Sequence, residues 1–243
     1  MIETFQLSKC YGKQEVLSDL NLRCEAGQSI ALIGPNGAGK TTLSKIILGQ
    51  VIPTSGRVEV DGADVSKGPD YRRELGYMPQ ISRFPAQMKT HQLFRLMRRL
   101  RPDVAASKYD TELYETLEID QMNDKALGAL SGGMQQRVSA ALAFYFNPRI
   151  LILDEPTAGL DPLANETLKA KIRKSSEEQR LIITTSHILN DLEEICNHVI
   201  YLLEGKVHFA GSLEQLRERT NETKLNKMVV SLIKSNQARV QYQ

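Results

Sequence analysis

The chain has 243 residues, 41% of them hydrophobic and 25% charged, with a formal net charge of +2. This is enough for one large α/β domain or two modest ones, and the near-neutral balance argues against a bulk electrostatic nucleic-acid binder. No apolar run approaches a membrane span, Met1-Ile2-Glu3-Thr4 lacks a signal-peptide pattern, and Cys10, Cys24 and Cys196 show no metal-ligand spacing, so a soluble cytoplasmic chain with packed thiols is expected.

Residues 2–7, 16–23 and 57–60 read as strands of an antiparallel layer, punctuated by Gly12, Gly27, Gly56 and Asp61-Gly62. Tyr11 stands just before the first of these turns, where its ring could stack on an adenine base; a half-buried hairpin tyrosine would look the same. Ser29-Ile30-Ala31-Leu32-Ile33 is aliphatic without alternation, the pattern of a buried parallel strand. It runs into Gly34-Pro35-Asn36-Gly37-Ala38-Gly39-Lys40-Thr41 and then Thr42-Leu43-Ser44-Lys45-Ile46-Ile47-Leu48, a helix with Leu43, Ile46 and Ile47 on one face and Gly49 as its stop.

Strand, glycine-rich turn and helix together make a phosphate cradle. Glycines let backbone N–H groups close around a polyphosphate, and the helix dipole adds positive potential at the same spot. Lys40 would reach the β- and γ-phosphates and the Thr41 hydroxyl would ligate Mg²⁺. Residues 34 to 42, from Gly34 and Pro35 through Asn36, Gly37, Ala38, Gly39, Lys40 and Thr41 to Thr42, are therefore the candidate nucleotide contacts. Further on, Gln80 ends a short strand before a proline-broken loop, where an amide could address Mg²⁺ or an attacking water; a lone glutamine by itself carries little.

Between about 88 and 147 the pattern turns helical. Leu93, Leu96, Met97 and Leu100 form the expected apolar stripe, opposite Arg95, Arg98, Arg99 and Arg101, which could meet an acidic partner or anionic headgroups or simply be solvated. In Leu130-Ser131-Gly132-Gly133-Met134-Gln135-Gln136-Arg137, Ser131 is a good N-cap and the glycines leave backbone N–H groups open, a second anion site ahead of an apolar buried helix. Arg149-Ile150-Leu151-Ile152-Leu153-Asp154-Glu155-Pro156 follows: a doubly covered strand ending in two carboxylates that repel unless a cation lies near. Asp154 would hold the metal and Glu155 would act as general base on water.

After the turn at Gly159-Leu160-Asp161-Pro162, residues 164–174 form a helix of mixed, solvent-facing charge, and residues 181–185 another buried strand. His187 stands at that strand's carboxyl end, where ligands of α/β sheets collect, whereas His91, His198 and His208 read as structural. A hairpin over 199–209, a capping box at Ser212-Leu213-Glu214-Gln215 and a polar tail with an apolar patch over 228–233 complete the chain.

These residues, in this order, resemble the nucleotide-binding subunits of ATP-binding cassette (ABC) transporters over residues 1–215. The resemblance implies an α/β fold, a P-loop NTPase core of mixed sheet flanked by helices, with an antiparallel β layer and a helical subdomain. It divides the chain into an ATPase domain, residues 1–211, with core 1–80 and 148–211 and helical subdomain 81–147, and a C-terminal helical tail, 212–243. By it Tyr11 is similar to the adenine-stacking aromatic, Gln80 to the glutamine linking metal to helical subdomain, and Ser131, Gly132, Gly133 and Gln135 to the signature segment that completes the opposite subunit's site. Asp161 is similar to the aspartate that crosses the dimer interface and His187 to the γ-phosphate switch. The family implies ATP and Mg²⁺ as cofactors, a head-to-tail dimer with itself or a second cassette, separate transmembrane subunits, no nucleic acid, and a place on the cytoplasmic face of the inner membrane. The chain is similar to bacterial export-type single cassettes, and residues 71–80 to those serving copper-site maturation of nitrous oxide reductase; a soluble cassette ATPase remodelling a scaffold, as in iron–sulfur cluster assembly, is the other class.

Overall fold

The computed structural model describes residues 1–240, with side chains as far as residue 234. Along the chain come β1 (Ile2–Tyr11), β2 (Gln14–Cys24), β3 (Ser29–Ile33), α1 (Lys40–Ile47), β4 (Ser55–Val60), β5 (Ala63–Asp64), β6 (Leu75–Met78), α2 (Thr90–Leu100), α3 (Glu112–Thr116) and α4 (Gly132–Phe144). They are followed by β7 (Ile150–Asp154), α5 (Pro162–Glu177), β8 (Leu181–Thr185), α6 (Leu189–Ile195), β9 (His198–Leu203), β10 (Lys206–Ser212), α7 (Leu213–Thr220) and α8 (Leu225–Val240). Strands in the order β2-β1-β4-β5 form an antiparallel sheet; the second sheet has the order β10-β9-β3-β8-β7-β6. In the second sheet β9, β3, β8, β7 and β6 run parallel, and β10 is an antiparallel edge. This is the mixed α/β architecture expected.

The aliphatic runs are unalternating because both faces of the parallel sheet are covered. Ala31 and Ile33 of β3, and Leu151 and Leu153 of β7, pack into a core shared with α4, α5 and α6. Their neighbours Ile30, Leu32, Ile150 and Ile152 pack on the other side, against α1 and the antiparallel sheet. Each of these fully buried aliphatics contributes about 2 kcal/mol by leaving water. Ser212 and Gln215 form the expected capping box, and the apolar patch of the tail lies in α8, whose Leu225, Met228 and Leu232 are buried in the first core.

Two helix faces depart from expectation. On α2 the buried face is Leu93 and Phe94, with Met97 packed against it, while Leu96 is 40% and Leu100 64% exposed. Phe94 supplies the larger apolar body, packing edge-on to Tyr114 and Tyr145, and this rotates the helix away from the leucine stripe. On α5 the charges are not all solvent-facing, for Lys169 and Lys171 are buried. The Lys171 ammonium lies 2.6 Å from Asp110 and 2.8 Å from Glu112, which it shares with Lys174; Arg180 stands 3.7 Å from Asp110. Hydrogen bonds from Lys171 and Lys174 hold the Glu112 carboxyl below the usual range. Charge periodicity does not distinguish a solvated lysine from one that finds carboxylates on a neighbouring element.

Removing one member of a buried ion cluster leaves its partners desolvated and underpaired. Lys171→Ala is therefore expected to lower the unfolding free energy by about 3 kcal/mol, measured from the urea midpoint; an unshifted midpoint would contradict a structural role for the cluster.

Candidate active site

The parallel sheet delivers its site residues at one edge. The loop from Gly34 follows the carboxyl end of β3, Gln80 that of β6, Asp154 closes β7, and His187 lies just past β8. Asn36, Gly37, Ala38, Gly39, Lys40, Thr41, Thr42, Gln80, Asp154, Glu155, Thr185 and His187 line one cleft of about 400 Å³, with Val16 of β2 at its rim.

Within the loop Gly37 and Gly39 have φ of +81° and +102°. At Gly39 an added Cβ would also run into the Leu17 side chain and the Val16 carbonyl, so both conformation and contact require glycine. The Lys40 ammonium bridges the turn, donating to the Gly34 carbonyl at 2.6 Å and to that of Pro35 at 3.0 Å. Burial pushes its pKa down, opposed by the nearby Glu155 and Asp154 carboxylates. Gly34 and Pro35 do not line the cleft; their carbonyls hold Lys40, and they border an apolar pocket beside Val229 and Ile233 of α8.

The two acids are held differently. Asp154 pairs in register with Thr185, whose hydroxyl donates to its carboxylate. Glu155 leaves the strand with φ +51°, left-handed for a non-glycine residue. Such a conformation costs on the order of 1–3 kcal/mol and must be held by its surroundings. Its N–H donates to the Thr185 carbonyl at 3.0 Å, its own carbonyl accepts from Gln136 at 3.3 Å, and its carboxylate accepts from the His187 N–H at 3.3 Å. His187 Nε2 lies 3.5 Å from the same carboxylate. A carboxylate, an ammonium and an imidazole thus converge on one space beside the glycine-rich loop, which suits an anionic substrate and proton transfer from water.

Other expected residues lie elsewhere. Tyr11 ends β1, 48% exposed, with the Lys9 ammonium 4.9 Å from its ring centre, and does not line the cleft. Ser131 caps α4 by accepting from the Met134 N–H at 3.3 Å, and borders a second hollow of about 480 Å³ with Gly133, Arg137, Gly159 and Asp161. Gly132 opens α4, with open space where a Cβ would be. Gln135 turns back to donate to the Leu127 and Leu130 carbonyls. Asp161 caps α5 through the Ala164 N–H and is paired with Arg137, whose hydrogen bond lowers its pKa. Sequence reading gave no role to Gln136, Thr185 or Val16; Gln136 carried a signal, a polar residue on the buried face it shares with Ala140 and Ala143.

The model of the family described as ABC transporter matches residues 17–158. The ABC transporter ATP-binding protein YtrB of Bacillus subtilis (strain 168) is 33% identical over 219 residues, spanning 90% of this chain and 74% of that protein. The chain belongs to the ABC transporter family. Among solved structures, an ATP-binding subunit of an ABC transporter superposes with a TM-score of 0.89 at 29% identity, over 96% of this chain and 99% of that one. The dimeric cassette MJ0796 in a post-hydrolysis state bound to ADP and Pi superposes at 0.74 with 25% identity, over 88% and 99%. The chain is an ATP-binding, ATP-hydrolysing subunit of this family.

At Gly39, substitution adds a clash to backbone strain. Gly39→Ala is expected to destabilise the fold by about 2 kcal/mol and to weaken ATP binding; calorimetric binding equal to wild type would show that the loop tolerates a Cβ.

Proposed function

We propose that Glu155 is the general base for ATP hydrolysis and that the lined cleft holds the polyphosphate of ATP. The observation that carries this is the Glu155 carboxylate, turned into the cleft by its left-handed backbone and set beside His187 across from Lys40 and the loop N–H groups. Lys40 would exchange its loop carbonyls for β- and γ-phosphate oxygens, a charge-assisted gain. His187 would meet the γ-phosphate, and Thr42 and the loop from Gly34 to Gly39 would cradle the remainder.

A metal is part of this reading. Among the described residues no cluster of three His, Cys, Asp or Glu could hold an ion unaided. Thr41, Gln80 and Asp154 all reach the cleft with hard oxygen donors, a set that fits Mg²⁺ taking its other ligands from phosphate and water. Bound there, the ion would neutralise charge developing on the transferred phosphoryl group. The adenine would rest on Tyr11, which is 48% exposed, in place of the Lys9 ammonium now beside its ring.

Ser131, Gly132, Gly133, Gln135 and Asp161 would act in trans. Their surface is separate from the cleft, and a head-to-tail partner, a second copy or another cassette, would bring the α4 N-terminus to the γ-phosphate. The similar dimeric cassette with ADP and Pi supports this reading. ATP would link the subunits and hydrolysis would release them.

The helical segment over 81–147 and the core over 1–80 and 148–211 would then work as separate bodies, with 212–243 as an appended tail. Between them an apolar groove of about 480 Å³, bordered by Tyr77, Phe84, Met97, Leu100, Phe146 and Arg83, would seat a cytoplasmic helix of a membrane subunit. Among the described residues no helix is long and apolar enough to cross a membrane, so passage would belong to such separate subunits, with this chain on their cytoplasmic face. We favour an export-type role, with copper-site maturation as its specific form, and no nucleic-acid partner.

Glu155→Gln is expected to bind ATP as wild type does, accumulate dimer and lose turnover by more than a hundredfold, whereas Lys40→Ala should weaken ATP binding by about tenfold or more; undiminished turnover in Glu155→Gln would remove its assignment as base. Pull-down of tagged Glu155→Gln with ATP from detergent-solubilised membranes should bring a multi-span protein, whose identity would decide the cargo. Recovery of a soluble scaffold alone would instead favour the scaffold-remodelling class.

A further inference from the structure

The turn that carries Glu155 and the segment that carries His187 are joined twice. The first link is the His187 N–H to the Glu155 carboxylate at 3.3 Å, facing the cleft. The second lies behind it. The Thr157 hydroxyl donates to Asp191 Oδ2 at 2.8 Å; Thr157 is buried and the Asp191 side chain is 15% exposed. The other Asp191 oxygen stands 3.9 Å from the ammonium of Lys169, whose side chain is 5% exposed and which also meets Glu166 and Glu194, each at 2.6 Å. Those two hydrogen bonds push the Lys169 pKa up, so it is a fixed cation.

The placement of these groups is informative. Thr157 comes two residues after Glu155, on the same strained turn, and Asp191 lies in the first turn of α6, four residues after His187. Lys169 belongs to α5, the helix that this turn leads into. A left-handed glutamate tends to relax unless both sides of its turn are held. Gln136 and Thr185 hold the strand side, through the Glu155 carbonyl and N–H. The Thr157–Asp191 bond holds the far side, and a hydrogen bond to a carboxylate is shorter and stronger than one between neutral groups.

We propose that Asp191, anchored by Lys169, is a positioning residue that acts through Thr157 to keep the Glu155 turn and the His187 segment in one fixed relation during hydrolysis. The inference rests on Glu155 and His187 acting as proposed above. Asp191 touches neither substrate nor reacting atoms; its effect is on where the base and the histidine stand.

The test measures ATP turnover with Mg²⁺ and the ATP dissociation constant on the full chain. The variants are Thr157→Val, which keeps the shape and removes the donor, Thr157→Ser, which keeps the donor, Asp191→Ala, and the double variant Thr157→Val/Asp191→Ala. Thr157→Val and Asp191→Ala should each lower kcat about tenfold, with ATP affinity within about twofold of wild type, and Thr157→Ser should recover most of the loss. The double variant should be no slower than the slower single variant, because both remove the same link. Wild-type kcat in both single variants, an equal loss in ATP affinity, or losses that multiply in the double variant would each overturn the proposal. Glu155→Gln in the same assay separates the two readings: if it loses turnover while the Thr157 and Asp191 variants do not, the positioning role alone fails, and if it keeps turnover the base assignment fails.

Discussion

Parallel pairing of β3, β8, β7 and β6 constrains everything else in the molecule. Parallel strands point their carboxyl ends the same way, so four connections must emerge along one edge, whatever their sequence separation. Residues from positions 36 to 187 reach a single cleft for this reason. Register then sets the detail. Because Asp154 is opposite Thr185, the first acid is fixed by a hydroxyl from the neighbouring strand, and the next residue, Glu155, is the one free to leave the plane of the sheet. A shift of one residue in that pairing would exchange the two acids' environments.

Electrostatics explains why the edge must also hold a cation and an anion binder. Asp154 and Glu155 are adjacent carboxylates with Glu155 buried, and like charges held this close repel unless positive charge is near. Lys40 supplies some of it, and the same carboxylates help keep Lys40 charged against its own desolvation. Gly37 and Gly39 let the loop take the left-handed turns that lead it into α1, whose N-terminus adds positive potential. The cleft thus brings a cation to face its two carboxylates, and under the proposed function it would take an anionic, metal-bearing ligand.

How legible this was in the sequence depended on the range of the cause. The strands over 29–33 and 181–185 could be placed to the residue, because unalternating aliphatic runs have one good solution in a sheet covered on both faces. The glycine-rich loop was equally plain, since its chemistry is contained in eight consecutive residues. Failures came where a side chain's state is decided by a distant element. Nothing local to Lys171 announces Asp110 and Glu112, sixty residues earlier in the chain, and the buried face of α2 was set by Tyr114 and Tyr145, which turned Phe94 inward in place of Leu96. Gln136 was visible only as a polar residue on a buried face; that it reaches the Glu155 carbonyl is a fact of tertiary packing.

The division of the expected site residues between two hollows follows from the same geometry. The cleft is bounded by strand ends, whereas Ser131, Gly133 and Asp161 sit at the N-termini of α4 and α5, joined by the Arg137–Asp161 pair. Ser131 and Asp161 each cap one N–H of these helices, and a helix N-terminus that keeps further unpaired N–H groups attracts anions. Under the proposed function, the two half-sites of one chain would satisfy each other in a head-to-tail pair, which would contain two complete sites. Turn and helix are continuous here: the segment that begins at Glu155 ends at the Asp161 cap, so a partner that engages Asp161 acts on the same short turn that sets the position of the proposed base. Closure of the pair and alignment of the base are therefore mechanically a single event in this reading, which is why neither half-site on its own accounts for hydrolysis.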